Sequence, residues 1–479
     1  MKKKICAVLA AVLALALLGG CNGGQNAEEQ KVDEILWYYP GDAQSGMAEV
    51  LEQINQRLEP EIGVRLNLKN IDKSSYAEKM NLVVSSGEEF DICFTANWSL
   101  PFLSNVSNGA FIPLDELIEE YAPGLKTSMP EYVWNSTMVD GQIYAVPNYQ
   151  ILPTQFCLLA SSELMQKHNF DVSQITDLKS LEPFLQEIKE TEPDLYPYQP
   201  QYSAVEMNYE QIYPTSFAVI RKDAEKGAVK VQNWFELPEF KEHTKLMYDW
   251  YQKGYIRKDV VGSGSDTASL LGLRYAFFWG TMKPGGDVEN LQKYKKEITS
   301  IPMCEPYTQA SATARTLSAI SRTSKNPEKA IKVLEVFNTD KELYNTLVFG
   351  IEGKHYTKIS DNQVQLIPDS NYKMEAWMFG NQFNAYYKDG QETDTWEQTM
   401  QLNDSAQLSP LWGFNFNPDP VKNEISQCEA VVKEYEFIKM GAEDPDLHYD
   451  EMISKLKTAG CDTVIAEVQR QIDEWQANQ

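Results

Sequence analysis

Apolar residues between positions 34 and 94 follow two alternating rhythms. Glu34-Ile35-Leu36-Trp37-Tyr38-Tyr39 is a β-prone run stopped by Pro40-Gly41-Asp42, and Val64-Arg65-Leu66-Asn67-Leu68 and Phe90-Asp91-Ile92-Cys93-Phe94 are further short strand-like runs. Between them, Met47, Val50, Leu51, Ile54 and Leu58 recur on one helical face, Gly63 ends that stretch, and residues 76–85 form a second amphipathic helix. The order β-α-β-α-β predicts a mostly parallel sheet. Such sheets bind ligands beyond the carboxyl ends of their strands, so the loops 38–42 and 95–99 are the first places to look. Further along, residues 193–200 and Gly262-Ser263-Gly264-Ser265 read as loops, and residues 421–435 and 449–475 as helices.

The N-terminus follows a different pattern. Lys2, Lys3 and Lys4 precede an uncharged apolar run from Ile5 to Leu18, the layout of an export signal. That run holds 14 residues, whereas a helix needs about 20 to span a bilayer, so cleavage is expected rather than permanent anchoring. Leu18-Gly19-Gly20-Cys21 resembles the lipobox of bacterial lipoproteins, in which the cysteine is acylated and becomes the new N-terminus. Residues 1–20 are therefore assigned as a lipoprotein signal peptide, Cys21 as the lipidation site, and the polar, Gly-containing residues 21–30 as a flexible tether.

Removing residues 1–20 takes three lysines and no acids from a total of 43 basic and 69 acidic residues, leaving a net charge of −29. So acidic a body disfavours nucleic acid and anionic lipid as partners. Beyond the leader no segment is apolar for long enough to enter a bilayer. The remaining cysteines, Cys93, Cys157, Cys304, Cys428 and Cys461, are odd in number and lack CxxC or Cys/His spacing, which argues against a disulfide framework or a zinc site. Asp444, Asp446, Asp450 and Glu451 resemble half a calcium loop, but Pro445 and a missing glycine spoil it. The residues Lys283-Pro284-Gly285-Gly286-Asp287 are too poor in suitably placed glycines for a phosphate loop. No metal or cofactor is expected.

Val139-Asp140-Gly141-Gln142-Ile143-Tyr144-Ala145-Val146-Pro147 resembles the "DGKxYgvP" segment of the family 1 extracellular solute-binding proteins, which include the maltodextrin-binding proteins. Asp140-Gly141 is independently a strong hairpin signal. Asn326-Pro327-Glu328-Lys329-Ala330 matches as a helix opening. Gly350-Ile351-Glu352-Gly353-Lys354-His355-Tyr356, with Leu411-Trp412-Gly413-Phe414-Asn415-Phe416, resembles the subset carrying a C-terminal domain of unknown function, DUF3502. The resemblance implies an α/β, two-lobed periplasmic-binding-protein-like fold of type II, with a hinge between lobes and a ligand cleft at their interface. It places the first crossover near residues 149–154, lobe one at 31–150 and 315–360, and lobe two at 151–314 and 361–479, including the DUF3502-like region.

The same resemblance implies a lipid-anchored receptor on the extracellular face of the cell membrane. It would pass a small polar ligand, an oligosaccharide by preference, to the transmembrane subunits of an ABC importer. Neutral sugars present apolar C–H faces and a rim of hydroxyls, which aromatic rings and amide or carboxylate groups match. Carried over from the maltodextrin-binding pattern, lobe one contributes Tyr38, Tyr39, Asp42, Asn97 and Trp98. The hinge contributes Tyr149 and Gln150, and lobe two contributes Trp279, Trp412, Phe414 and Asn415. Trp98 stands out because it is a single large aromatic among Thr95, Asn97 and Ser99.

Two alternatives stay open at this level. A peptide or other polar solute would favour charged cleft residues over aromatics. An exported glycoside hydrolase would need paired carboxylates, and Glu88-Glu89, Glu119-Glu120 and Asp389 near Glu392 are pairs of the kind that 69 acids produce by chance. The four histidines, His168, His243, His355 and His448, are scattered without an HExxH or triad arrangement. No catalytic residue is assigned.

Overall fold

In the computed structural model, which describes residues 32–201, 208–262 and 267–478, the N-terminal rhythm folds as its periodicity predicts. β1 (Asp33–Pro40) leads through α1 (Met47–Ile62) to β2 (Val64–Ile71), and α2 (Tyr76–Ser86) leads to β3 (Ile92–Thr95). Val50, Ile54 and Leu58 are the fully buried face of α1, and Gly63, at φ 67°, closes its C-terminus by donating its N–H to the carbonyls of Leu58 and Glu59. The signal peptide, Cys21, the tether and residues 263–265 lie outside the described residues.

Asp140 and Gly141 form the expected hairpin between β4 (Met138–Val139) and β5 (Gln142–Ile143), with φ values of 50° and 80°. Positive φ at both turn positions is what a type I′ hairpin turn requires. β6 (Val146–Pro147) then joins the first sheet, and the chain runs without regular structure to β7 (Gln155–Ser161) in a second one. The predicted crossover falls in that interval.

Neither sheet is purely parallel. The second sheet is ordered β13-β7-β12-β8, where β8 is Tyr196–Tyr198, β12 is Tyr275–Met282 and β13 is Ile298–Pro302. Here β8 and β12 run parallel to each other, while β7 runs against both β12 and β13. In the first sheet, β1 is parallel to both β2 and β3. The returning strand β14 (Leu317–Ile320) is antiparallel to β3, pairing Leu317 with Thr95 and Ile320 with Ile92, and to β6. In each sheet the reversed strand is the one that enters from the other lobe, so the departure from a parallel pattern follows from the crossings themselves.

Three buried regions carry the fold. The largest joins the first sheet to α3 (Pro327–Thr339) and α4 (Lys341–Phe349), with Trp37 packed edge-on to Phe337 and Phe379. Its residues include Val364, Tyr372, Met378, Phe379, Ala385 and Tyr386, so the chain just beyond 360 packs with the first sheet rather than with lobe two as expected. A second region sandwiches the second sheet. A third packs Phe217, Trp234, Phe235 and Phe240 against the C-terminal helices α5 (Lys422–Glu434), α6 (Pro445–Thr458) and α7 (Cys461–Ala477). Gly441, at φ 77°, brings this helical unit against the helix Pro238–Gln252, and any Cβ there would lie 2.3 Å from Met247 backbone atoms.

The crossings are tied to one another. Thr154 and Tyr307 exchange backbone hydrogen bonds of 2.9 and 3.1 Å, and Asn148 N–H donates to the Thr316 carbonyl at 2.9 Å. Asn403, on the helix Thr395–Ser405, is buried against the first crossing. Its amide donates to the Gln150 carbonyl and accepts from Leu152 N–H, both at 2.9 Å, as a strand neighbour would.

Candidate functional site

The loop after β3 is a closed turn. Ala96 N–H donates to the Ser99 carbonyl at 2.9 Å, Phe102 N–H to the Ala96 carbonyl at 3.2 Å, and Leu100 takes a φ of 48°. This fold projects Trp98 outward, leaving it 45% exposed, while its indole N–H donates to the Arg315 carbonyl at 2.8 Å. Asn97 N–H donates to the Ala314 carbonyl at 2.9 Å, so the loop is pinned to the second crossing by two adjacent residues.

Trp98 lines a cavity of ≈ 330 Å³ with Gln150, Gln155, Thr281, Arg315 and Trp377. The Trp98 and Trp377 ring centroids are 6.3 Å apart at 54°, giving two tilted aromatic faces above a polar floor. Gln150 donates its amide to Thr316 Oγ1 at 2.8 Å, and Lys283 and Thr281 reach the cavity from the end of β12. First sheet, second sheet and hinge therefore meet here.

Asn97, next to Trp98 in sequence, lines a second and more apolar cavity of ≈ 220 Å³ together with Phe102, Tyr213, Phe414, Asn415 and Glu210 among others. Glu210 is buried. Its carboxylate accepts from Tyr307 Oη at 2.6 Å and Ala310 N–H at 2.7 Å. Burial holds this carboxyl above the usual range, and those donors, with Ser409, pull it partly back. Arg315 is lowered by burial, an effect the Glu210 charge opposes.

Of the residues anticipated from sequence, Trp98 and Gln150 line the first of these cavities and Asn97, Phe414 and Asn415 the second. Trp412 is buried beside Tyr132 and lines a neighbouring third cavity with Phe414 and Asn415. Tyr38 packs edge-on to Phe90, Tyr39 to Phe379 and Tyr149 to Phe383, and all three are buried. Burial, followed by the Asp42 charge, raises the Tyr39 phenol to about 12. Asp42 itself is exposed. Trp279 faces the core of the second sheet, its indole N–H donating to Tyr198 Oη at 2.8 Å, and borders a separate pocket near His243 and Met303.

Sequence reasoning missed Trp377, Tyr213 and Arg315. Trp377 sits in Ala376-Trp377-Met378-Phe379, an apolar cluster outside any strand, and its unexplained indole in a loop-like stretch was the one available signal. Among the described residues no group of three or more His, Cys, Asp or Glu side chains could hold a metal ion.

Two α/β lobes joined by repeated crossings, with an aromatic and amide-lined cleft between them, define a solute-binding protein. The chain belongs to the carbohydrate ABC transporter substrate-binding proteins. It is 31% identical to such a protein from Streptococcus pneumoniae over 486 residues, covering 98% of this chain and 97% of the relative. Residues 410–477 match the domain of unknown function DUF3502. Among solved structures, the N-glycan transport solute-binding protein NgtS of Streptococcus pneumoniae superposes with a TM-score of 0.83 at 31% identity, covering 93% of this chain and 99% of that one. The same protein in complex with Man1GlcNAc gives 0.74 at 29% identity, with 93% of this chain and 100% of that one covered. In complex with Man5GlcNAc it gives 0.71 at 30%, covering 93% and 99%.

Proposed function

We propose that this chain is the extracellular, lipid-anchored receptor of an ABC importer, and that it captures an oligosaccharide of mannose and N-acetylglucosamine type and releases it unaltered to the permease. The observation that carries this is Trp98. A tryptophan 45% exposed, held by its own N–H bond and packed beside Trp377 at the border of a cavity that Gln150 and Gln155 also line, is an open stacking platform. The sugar class is supported by NgtS, which shares the fold over nearly the whole chain and was solved with Man1GlcNAc and Man5GlcNAc. No catalytic role is assigned to any residue. Anchoring would run through Cys21, with residues 22–30 as the tether.

Ligand capture proceeds by lobe closure. The fall in TM-score from 0.83 to 0.74 and 0.71 across three structures of one relative is what rigid lobes at different angles produce, and it supports a hinge. Shared cores support lobe one as 32–150 with 315–386 and lobe two as 151–314 with 411–478, the helix Thr395–Ser405 lying across the hinge. The test is a thermal-shift screen over Man1GlcNAc, Man5GlcNAc, unrelated oligosaccharides and peptides. A ligand at 100 times its dissociation constant adds about 2.7 kcal/mol of stability. Recovery of the glycan intact is expected. No shift with any oligosaccharide, or recovery of cleaved products, refutes the reading.

A further inference from the structure

We infer that the DUF3502-matched region builds the far end of the ligand groove and holds the sugars of a long oligosaccharide that extend beyond Trp98. This rests on the oligosaccharide reading above and goes further by giving that region a task. Leu103, Phe414 and Asn415, which line the cavity beside Asn97, also line a third cavity of ≈ 860 Å³, so the same side chains border both. One wall of the third cavity belongs to lobe one, through Asn135 and the hairpin residues 138–141. The facing wall comes from within residues 410–477, through Asn417, Arg470, Gln471 and Trp475, while Trp412 from the same region packs into the core of lobe one.

The chemistry of this wall repeats that of the hinge cavity, with indole rings for apolar faces and side-chain amides and a guanidinium for hydroxyls. Trp412 is 9% exposed, and its indole N–H, like those of Trp37, Trp134 and Trp250, has no acceptor among the described residues. The wall is also firmly set. Asn417 N–H donates to Gln471 Oε1 and the Gln471 amide returns a bond to the Asn417 carbonyl, both at 2.9 Å, while Trp475 packs on Phe414 with ring centroids 5.7 Å apart. Gly413, at φ 92°, brings this segment against lobe one, where a Cβ would meet that of Asn135 at 3.3 Å. The three cavities thus follow one another, Trp98 in the first, its neighbour Asn97 with Phe414 in the second, and Phe414 with Trp475 in the third, and only a ligand longer than the hinge cavity reaches the last.

The experiment is calorimetric titration of the mature chain with Man1GlcNAc and Man5GlcNAc, comparing wild type with the double variant Asn135→Ala/Arg470→Ala. The two side chains stand on opposite walls and are exposed, so the fold is retained, and a denaturant melt checks this. Expected is about a tenfold loss of affinity for Man5GlcNAc, equivalent to two ordinary hydrogen bonds, with less than about a twofold change for Man1GlcNAc. Equal weakening of both glycans, no weakening of either, or wild-type binding of Man1GlcNAc alone overturns the far-end assignment and leaves the oligosaccharide reading standing. Wild-type binding of neither glycan overturns that reading and this inference with it.

Discussion

Trp98→Ala is the most informative single change, because the structure allows its cost to be worked out in advance. A tryptophan offers about 150–250 Å² of side-chain surface, so 45% exposure leaves ~100 Å² open. A sugar ring laid on one face covers about half of that, and ~50 Å² at about 25 cal/mol per Å² contributes ~1.3 kcal/mol. Specific stacking adds about 0.5–1.5 kcal/mol. Binding should therefore weaken by ~2 kcal/mol, about 30-fold. The folded state loses the indole bond to the Arg315 carbonyl and the contact with Phe94, whose ring centroid is 5.7 Å away. Together these cost about 2 kcal/mol, less than the roughly 3–5 kcal/mol typical of removing a core tryptophan. Trp98→Phe separates the contributions, since it retains an aromatic face and loses the hydrogen bond. Calorimetric titration with Man1GlcNAc and a denaturant melt of all three forms decide the matter. Affinity within about twofold of wild type in the alanine variant, together with a stability loss near 4 kcal/mol, would show that the ring is structural.

Trp279→Ala should do the reverse: buried in lobe two and bonded to Tyr198, it should cost about 3–5 kcal/mol in a melt and leave the affinity of the folded fraction within about twofold. Cys21→Ala should abolish lipid modification by mass spectrometry and release the protein from the membrane without changing affinity; a variant that still carries the lipid disproves the anchor. Small-angle scattering should give a smaller radius of gyration with saturating ligand, and superimposable curves with a ligand proven to bind would rule out lobe closure.

Local periodicity carried the fold a long way. The strand-helix alternation from 33 to 95 and the hairpin at Asp140-Gly141 were legible because each rests on neighbours in sequence: an apolar face at helical spacing, a glycine cap, a turn with positive φ. The direction of β7 and β14 was not legible. A strand's sense in a sheet depends on where the chain arrives from, and each of these arrives from the other lobe. The segment 361–386 failed for a related reason. Its buried residues are spread over short turns without a period, and only tertiary contacts with Trp37 and Phe337 assign Phe379 to the first core.

The site divided along the same line. The exposure of Trp98 could be read from sequence because strand, polar loop and isolated aromatic are consecutive. Tyr38 and Tyr39 share the same sheet edge but fall within the strand, where alternate side chains go to opposite faces of the sheet. Helices and the returning chain cover both faces here, so both rings are buried, Tyr39 against Phe379 from far along the sequence. A position at the carboxyl end of a strand is thus insufficient. What exposes Trp98 is that the chain has already left the sheet and turned, with Leu100 at positive φ, before Phe102 re-enters the core. Trp377 completes the platform from 279 residues away, held by its indole bond to Glu375 Oε2 at 3.1 Å and overhung by Lys73 at 5.8 Å. No local pattern brings those two rings together. The hinge does, because the crossing 148–154 and the chain after 360 both pack on the first sheet beside the β3 loop. The paired indole surface therefore depends on the fold of the hinge as much as on either tryptophan.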